Sequence, residues 1–353
     1  MQCLKYVSFF LLAIVMVGCD SMSAYFNNEK TINDETTVFY IHSDDDLETV
    51  TQNLIDQKII DDEDAFQAII DYKEFNSEKL GAGKYEIEPG TEYKNIVNGF
   101  TRNRLGNGNK EVEVQVTFNN CQDIKEVAGK VSKQIEMDSA EFVNYLMSDS
   151  ILKKYGFSPE KIGALFLPNT YRMYWDTDHI DFLNYMAKEF KSFWNPERME
   201  LLRNKKVFSG QSDVVTLASI VYKEQDKYPE EWKTIAGLYI NRLKKGMKLQ
   251  SDPTFRFCWG DELDGVERLL NVHKEIDCPY NTYIYTGLPP GPICIPPSSV
   301  VDAVLRAENN SYLFMCAKPD GDGLHNFAKS LSQHNNNAAK FQRWISQQQR
   351  ANR

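Results

Sequence analysis

Two rhythms of apolar positions alternate along this chain. Thr37-Val38-Phe39-Tyr40-Ile41 is a short β-branched and aromatic run that predicts a strand. Ser43-Asp44-Asp45-Asp46 then offers an N-cap and an acidic first turn, and Leu47, Val50, Leu54 and Ile55 recur at helical spacing. Asp61 to Tyr72 repeats that logic with Phe66, Ile69 and Ile70. Gly81 to Ile87 reads as a turn and a strand, and Thr91 to Phe100 as a helix. Residues 36–101 therefore predict a compact β-α-α-β-α unit. The Asn/Gly-rich stretch from Arg102 to Lys110 reads as a linker.

A second α/β unit is expected over residues 111–160: Glu111 to Phe118 alternates Val with polar residues as a half-buried strand does, and Asp123–Ile135 and Ser139–Met147 are amphipathic. From residue 161 to 346 the chain changes character. Aromatics crowd in at Phe166, Tyr171, Tyr174 and Trp175, and helical patterns alternate with long Pro/Gly-containing loops. Asn310–Ala317 predicts an apolar strand, Lys318–Gly323 a tight turn, and the chain from about Ser332 a polar helix. Mixed helices and short strands in this order give an α+β protein, with a small subdomain followed by a larger, helix-rich one.

Residues 1–19 differ from all of this. Val7–Val17 is an apolar run too short for a bilayer-spanning helix, which wants about 20 such residues. It resembles the apolar segment of a signal peptide. Met16-Val17-Gly18-Cys19 resembles a bacterial lipobox with an unusual first residue. A lipidated Cys19, a short uncleaved membrane helix, or cleavage and release are the alternatives, and each sends the rest of the chain across a membrane. Residues 20–35 read as a polar tether.

Composition narrows the choice of function. The 353 residues suggest two or three domains at roughly 150 residues each. Lys and Arg number 40 against 50 Asp and Glu, a net charge of −10, which argues against a nucleic-acid binder. With 42% hydrophobic and 25% charged residues the chain has material for a real core. Its seven cysteines form no C-x-x-C pair, so neither a metal nor a redox site is expected. Any disulfide pairing among Cys121, Cys258, Cys278, Cys294 and Cys316 stays open, and small buried hydrophobes are the simpler reading.

Asp213–Gln225 is the segment richest in chemistry. Asp213 is a candidate N-cap, and Val214, Leu217, Ala218, Ile220 and Val221 make one apolar stripe. At about 100° per residue from Val214, Glu224 falls at about 280°, inside the stripe, and Lys223 at about 180°, outside it. A carboxyl aimed at the buried side can hold a proton near neutral pH, as a general acid must. A C-terminal Glu paired with Lys or Arg gives the same pattern. Further on, Asn241-Arg242-Leu243, Leu249-Gln250-Ser251-Asp252-Pro253-Thr254, Tyr280-Asn281-Thr282-Tyr283 and Gly287-Leu288-Pro289-Pro290-Gly291-Pro292-Ile293 combine amides, hydroxyls, rings and prolines. That mixture suits a sugar polymer, and equally suits well-turned surface loops. His325 and His334 read as hydrogen-bonded structural histidines. No nucleophile elbow, zinc-protease motif or phosphate loop is present.

This ordered series, with Ala218-Ser219-Ile220-Val221-Tyr222-Lys223-Glu224, Phe166-Leu167-Pro168-Asn169-Thr170-Tyr171, His325-Asn326-Phe327 and His334-Asn335, resembles the YceG-like endolytic murein transglycosylases over most of residues 36–345. Residues 36–101, with Gly81-Ala82-Gly83-Lys84-Tyr85, resemble that family's LysM-like subdomain, which makes residues 161–346 the YceG-like catalytic domain. Two departures stand out: Tyr222 replaces the first Glu of the family's catalytic helix, and Asn169 replaces an Asp. The resemblance implies a lytic transglycosylase, a carbon–oxygen lyase that needs no cofactor or metal. It cuts the MurNAc-β-1,4-GlcNAc bond within nascent glycan strands, leaves 1,6-anhydro-MurNAc ends and so ends strand elongation. Glu224 inherits the catalytic position, as acid toward the leaving oxygen and then as base toward the MurNAc 6-hydroxyl. Gln250, Asp252, Thr254, Tyr280, Asn281, Thr282 and Tyr283 are the expected substrate contacts. The implied partners are peptidoglycan strands, cell-wall synthases and, through the N-terminus, the inner membrane, with the catalytic part in the periplasm. A hydrolytic muramidase using Glu224 and Asp252, or a non-catalytic peptidoglycan-binding scaffold, are the competing readings.

Overall fold

A computed structural model describes residues 28–104, 110–263, 265–266 and 270–351. The leader and its lipobox lie outside the described residues. No described helix is long and apolar enough to cross a membrane. The fold is mixed α+β: helices alternate with three two-stranded sheets among the described residues. The chain divides into two compact units. One takes in residues up to Val116 with Ser132–Met137 and Tyr171–Asp178, and the other Thr117–Val131, Asp138–Thr170 and His179–Arg353.

The first unit is built on strands β1 (Thr37–Ile41) and β2 (Gly83–Ile87), antiparallel with Thr37 opposite Ile87 and Ile41 opposite Gly83. Alternation decides the faces: Phe39 and Ile41 are fully buried, whereas Val38 and Tyr40 stay exposed. Helices α1 (Leu47–Asp56), α2 (Glu63–Tyr72) and α3 (Tyr93–Gly99) supply Val50, Leu54, Phe66, Ile69, Tyr93 and Val97 to the same core. Asp46 and Asp62 cap α1 and α2, accepting from the Thr49 and Ala65 amides at 2.8 and 2.9 Å. The chain before β1 is held here too, for the amides of Thr31 and Ile32 donate to Thr91 O and Ile59 O. Arg104 closes the unit's polar side. Its Nε and Nη2 grip the Glu111 carboxylate at 2.5 and 3.0 Å, and Nη2 also bonds Asp176. These three line a polar cavity of about 290 Å³ with His42, Ser43 and Arg102.

Strands β3 (Glu113–Phe118) and β4 (Asn169–Tyr174) make the second sheet. In the second unit, α4 (Ile124–Val131) ends sooner than its sequence pattern predicts, and α5 (Ser139–Leu146), α6 (Asp149–Tyr155), α7 (His179–Phe193) and α8 (Pro196–Asn204) follow. The centre of this unit is α9 (Gln211–Glu224), whose residues Val214 to Val221 are all buried. A helix apolar nearly all round must be covered on all sides. Helices α10 (Trp232–Lys244), α11 (Asp252–Trp259) and α12 (Ser298–Leu305) cover it. Asp213 is not the N-cap its position suggests. Gly210 holds that place, and Asp213 in the first turn takes the Ser209 amide and Lys161 instead.

Strands β5 (Phe314–Ala317) and β6 (His325–Ala328) form the third sheet, antiparallel, with Ala317 opposite His325. The strand expected from Asn310 begins only at Phe314. The carbonyls of Asn310 and Tyr312 are engaged by the Asn241 amide, and that of Leu313 by Arg242 Nε, so of this stretch only Leu313 N reaches the partner strand, at Ala328 O. Helix α13 (Leu331–Ala351) ends the described chain. One disulfide appears among the described residues, Cys258–Cys278, and Cys121 and Cys294 are buried thiols.

Candidate active site

Glu224 is the last residue of α9, and helix packing carries its side chain to the wall of a cavity of about 270 Å³. The carboxylate is enclosed by protein except on that side. Its Oε1 accepts from Tyr239 Oη at 2.6 Å and from Ser251 Oγ. Tyr239 comes from the buried stripe of α10, and Ser251 from the loop that caps α11. Among the described residues no Lys, Arg or His forms an ion pair with Glu224. Burial pushes its pKa above the ordinary carboxyl value, against the two hydroxyl donors, while the nearby Asp252 charge pushes the same way as burial. The arrangement suits a carboxyl that keeps its proton until a substrate oxygen takes it.

The loop carrying Ser251 is held by hydroxyls. Ser251 N donates to Thr282 Oγ1 at 3.0 Å, Thr254 Oγ1 donates to Ser251 O at 2.6 Å, and the two threonine hydroxyls lie 2.8 Å apart. Gln250 sits at φ +52°, a conformation few residues other than Gly adopt cheaply, and its amide bonds Thr282 O. Arg242, 7% exposed, gathers the carbonyls of Lys248, Leu249 and Leu313 and the Gln250 side chain. Such a buried guanidinium is a structural staple, with four acceptors converging on one fork.

The expected substrate contacts divide into two groups. Gln250, Asp252 and Tyr283 line the Glu224 cavity. Tyr283 Oη donates to Asp252 Oδ1, and Lys274 Nζ lies 3.4 Å from the same oxygen. Thr254, Asn281 and Thr282 are buried and bond the loop itself. Asn281 Nδ2 donates to the carbonyls of Lys274 and Ile276, and its Oδ1 accepts from Tyr283 N. Tyr280 packs its ring against Phe257, with centroids 4.6 Å apart. Tyr222, at the family's first Glu, turns to Asn120 and bonds its Oδ1 at 3.0 Å.

Sequence reasoning did not single out Tyr239, Ser251, Lys274 or Glu231. Tyr239 sits among the buried apolar positions Ile235, Leu238 and Ile240 of its helix, so periodicity reads its ring as core and gives its hydroxyl no role. The Gly287–Ile293 loop, whose make-up suits either a sugar contact or a surface turn, packs its end onto the core: Ile293 N donates to Ser219 Oγ at 2.9 Å. A Cβ on Gly291 would lie 1.9 Å from Glu160 O, so only Gly permits that approach. No three His, Cys, Asp or Glu side chains converge as a metal requires among the described residues.

Comparison with known proteins agrees with this fold. The model of the YceG-like family matches residues 39–340. The chain is 30% identical over 325 residues to the endolytic murein transglycosylase of Bacillus subtilis (strain 168), covering 87% of this chain and 85% of that protein. It is 30% identical over 131 residues to the protein of the same name from Streptococcus pneumoniae (serotype 2, strain D39), covering 36% of this chain and 23% of that one. In fold it resembles a solved yceG-like protein from Listeria monocytogenes, with a TM-score of 0.52 and 24% identity over 86% of this chain and 99% of that chain. The family match and the full-length relative together establish that the chain belongs to the YceG-like family.

Proposed function

We propose that this protein is an endolytic peptidoglycan lytic transglycosylase. The observation that carries the reading is Glu224: a carboxyl with a raised pKa, held by two hydroxyls, facing a polar cavity and, among the described residues, without an ion-pair partner. The names of the relatives from Bacillus subtilis and Streptococcus pneumoniae support the substrate class. Glu224 protonates the glycosidic oxygen between MurNAc and GlcNAc as the C1–O bond breaks. The MurNAc 6-hydroxyl attacks its own C1, and its proton ends on the Glu224 carboxylate. The enzyme is restored, no water is consumed, and the strand ends in 1,6-anhydro-MurNAc. Glycoside hydrolases need a second carboxylate to activate water or attack the sugar. One suffices here because the nucleophile belongs to the substrate. Gln250, Asp252 and Tyr283 contact the glycan, and Thr254, Asn281, Thr282 and Tyr280 shape the loops behind them.

The finer organisation belongs to the same proposal. Residues 36–101 serve as a LysM-like glycan-holding subdomain, residues 111–160 as a connecting unit and residues 161–346 as the catalytic domain. The leader anchors the chain to the inner membrane, with the catalytic part on the periplasmic side beside the synthases whose strands it cuts.

Because Asp252 lines the same cavity, a two-carboxylate muramidase is the second reading. Its carboxylate is already engaged by Tyr283 and Lys274, which favours an orienting role. Mass spectrometry of products from purified glycan strands decides: anhydro ends are one water lighter than hydrolytic ends. The Glu224→Gln variant should make neither. Anhydro ends formed by that variant at the wild-type rate would falsify the assignment.

A further inference from the structure

The cavity that holds Glu224 contains an imidazole for which the reaction above has no use. His325, at the start of β6, lines the same wall. Its side chain is 15% exposed, and Nδ1 lies 2.7 Å from Glu231 Oε2. Its backbone amide donates to the other oxygen, Glu231 Oε1, at 2.9 Å. One carboxylate thus fixes both the main chain and the ring of a single residue. Since a carboxylate accepts, Nδ1 carries the hydrogen and Nε2 presents a lone pair. Nε2 makes no hydrogen bond to any described protein group.

The pair is tied to the acid itself. Gln225, the residue after Glu224, is 4% exposed, and its Nε2 donates both to Glu231 Oε2 at 3.0 Å and to Gly323 O at 2.9 Å. Gly323 belongs to the turn that leads into β6, closed by Lys318 N on Leu324 O. Two successive residues therefore set the acid and the carboxylate that orients the imidazole. A shift of one is felt by the other. This is the base–orienter half of a nucleophilic constellation, in which a carboxylate holds an imidazole in one tautomer with its free nitrogen toward the reacting hydroxyl.

The other groups in the cavity are poor candidates to receive the proton of the attacking hydroxyl. Asp252 is bonded by Tyr283 and paired with Lys274. Arg242 and Lys274 are cations. Glu224 is occupied in that same step, because it is giving its own proton to the leaving oxygen, and its Oε1 is already held by two hydroxyl donors.

We infer that His325, positioned by Glu231, is the group that first accepts the proton of the attacking sugar hydroxyl. This rests on the lytic reading of Glu224. As the O6–C1 bond forms and the C1–O4 bond breaks, O4 takes the proton of Glu224 and Nε2 takes that of O6. The imidazolium, facing the Glu231 carboxylate, then passes its proton to Glu224, which restores both groups without water or any co-reactant. His325 is thereby a catalytic residue and Glu231 a positioning residue.

Purified full-length protein acting on glycan strands, with anhydro ends counted by mass spectrometry, tests the inference. His325→Ala should lose roughly 10²- to 10³-fold in kcat, remain folded at the assay temperature, and recover part of the loss when imidazole is added. Glu231→Gln should lose less and gain nothing from imidazole, because its ring is present but misheld. If the alanine variant does not fold, His325→Asn carries the same expectations. A His325 variant with the wild-type rate, or a folded one that imidazole leaves unrestored, overturns the assignment. Those results leave wild-type anhydro ends in place, so they are distinct from failure of the lytic reading, in which wild-type protein itself makes none and this inference falls with it.

Discussion

Around Arg104, two carboxylates share one guanidinium; around Glu224, one carboxylate meets two hydroxyls and, among the described residues, no ion-pair partner. Burial raises the pKa of Glu111 and Asp176, and burial raises that of Glu224. The cause is shared but the compensation is not. Arg104 opposes the shift with charge and with a planar fork, and its own pKa is raised by its bonds to Glu111. A cation beside buried acids thus holds back part of the rise that burial causes. Tyr239 and Ser251 oppose it only with dipoles, which satisfy a carboxyl oxygen without demanding that the group be charged. That is how a fold keeps an acid available. The lesson is that burial alone does not mark a proton donor; burial with neutral partners and an open wall does.

The largest effect is expected at the acid. Glu224→Gln should lower strand cleavage by about 10²–10⁴-fold or more while the protein stays folded. The same variant should raise the melting temperature at neutral pH. A carboxyl whose folded-state pKa lies above its ordinary value of 4.5 lends its full stability below that value and loses it as pH rises through the raised one. The gain from Gln should therefore shrink as pH falls toward 4.5. A variant that melts lower at every pH shows that Glu224 is a structural acid like Glu111.

Next in size is the disulfide, which touches neither cluster directly. It joins α11, whose first residue is Asp252, to the loop that presents Lys274. Cys258→Ser should cost about 3 kcal/mol in a denaturant titration, as expected for closing a loop of this length. It should also raise KM more than it lowers kcat, because Lys274 and Tyr283 lose their frame but Glu224 does not. Equal losses in both would place the loop inside the chemistry.

Arg104→Met sharpens the other side. It leaves two carboxylates without their cation and should destabilise the first unit by about 1–3 kcal/mol, given that the arginine is partly exposed. The loss should be relieved at low pH, where Glu111 and Asp176 take up protons. Stability that is indifferent to pH in this variant argues against the ionised pair.

Smallest is the hydroxyl that tunes the acid. Tyr239→Phe removes a donor that favours the charged form of Glu224, so its pKa rises further. The alkaline limb of the kcat profile should move to higher pH, with at most a several-fold change at the optimum. Movement to lower pH means that Tyr239 bonds the protonated form.

Much of the first unit was legible because its helices and strands are locally consistent. Asp46 and Asp62 cap where acidic N-caps are expected, and Phe39 and Ile41 alternate with exposed neighbours as a pleated strand requires. The second unit was legible by motif more than by periodicity. Asn310–Leu313 looked like a strand, yet Asn241 and Arg242 claim its carbonyls from a helix seventy residues away in sequence. No local pattern encodes such a claim. The sugar-like loops were likewise half read: Gln250, Asp252 and Tyr283 face the cavity, whereas Asn281, Thr254 and Thr282 spend their polar atoms on the loops themselves.

By itself the sequence determined that one carboxyl, Glu224, would be carried into the interior. A residue at the end of a stripe of Val, Leu and Ile must follow its helix face, whatever that face packs against. Only the tertiary structure decided what it meets there. Tyr239, Ser251, Glu231 and His325 come from segments whose spacing in the chain bears no relation to their spacing in the cavity. Hydrogen bonds of under 3 Å depend on backbone placement that only the packed core fixes.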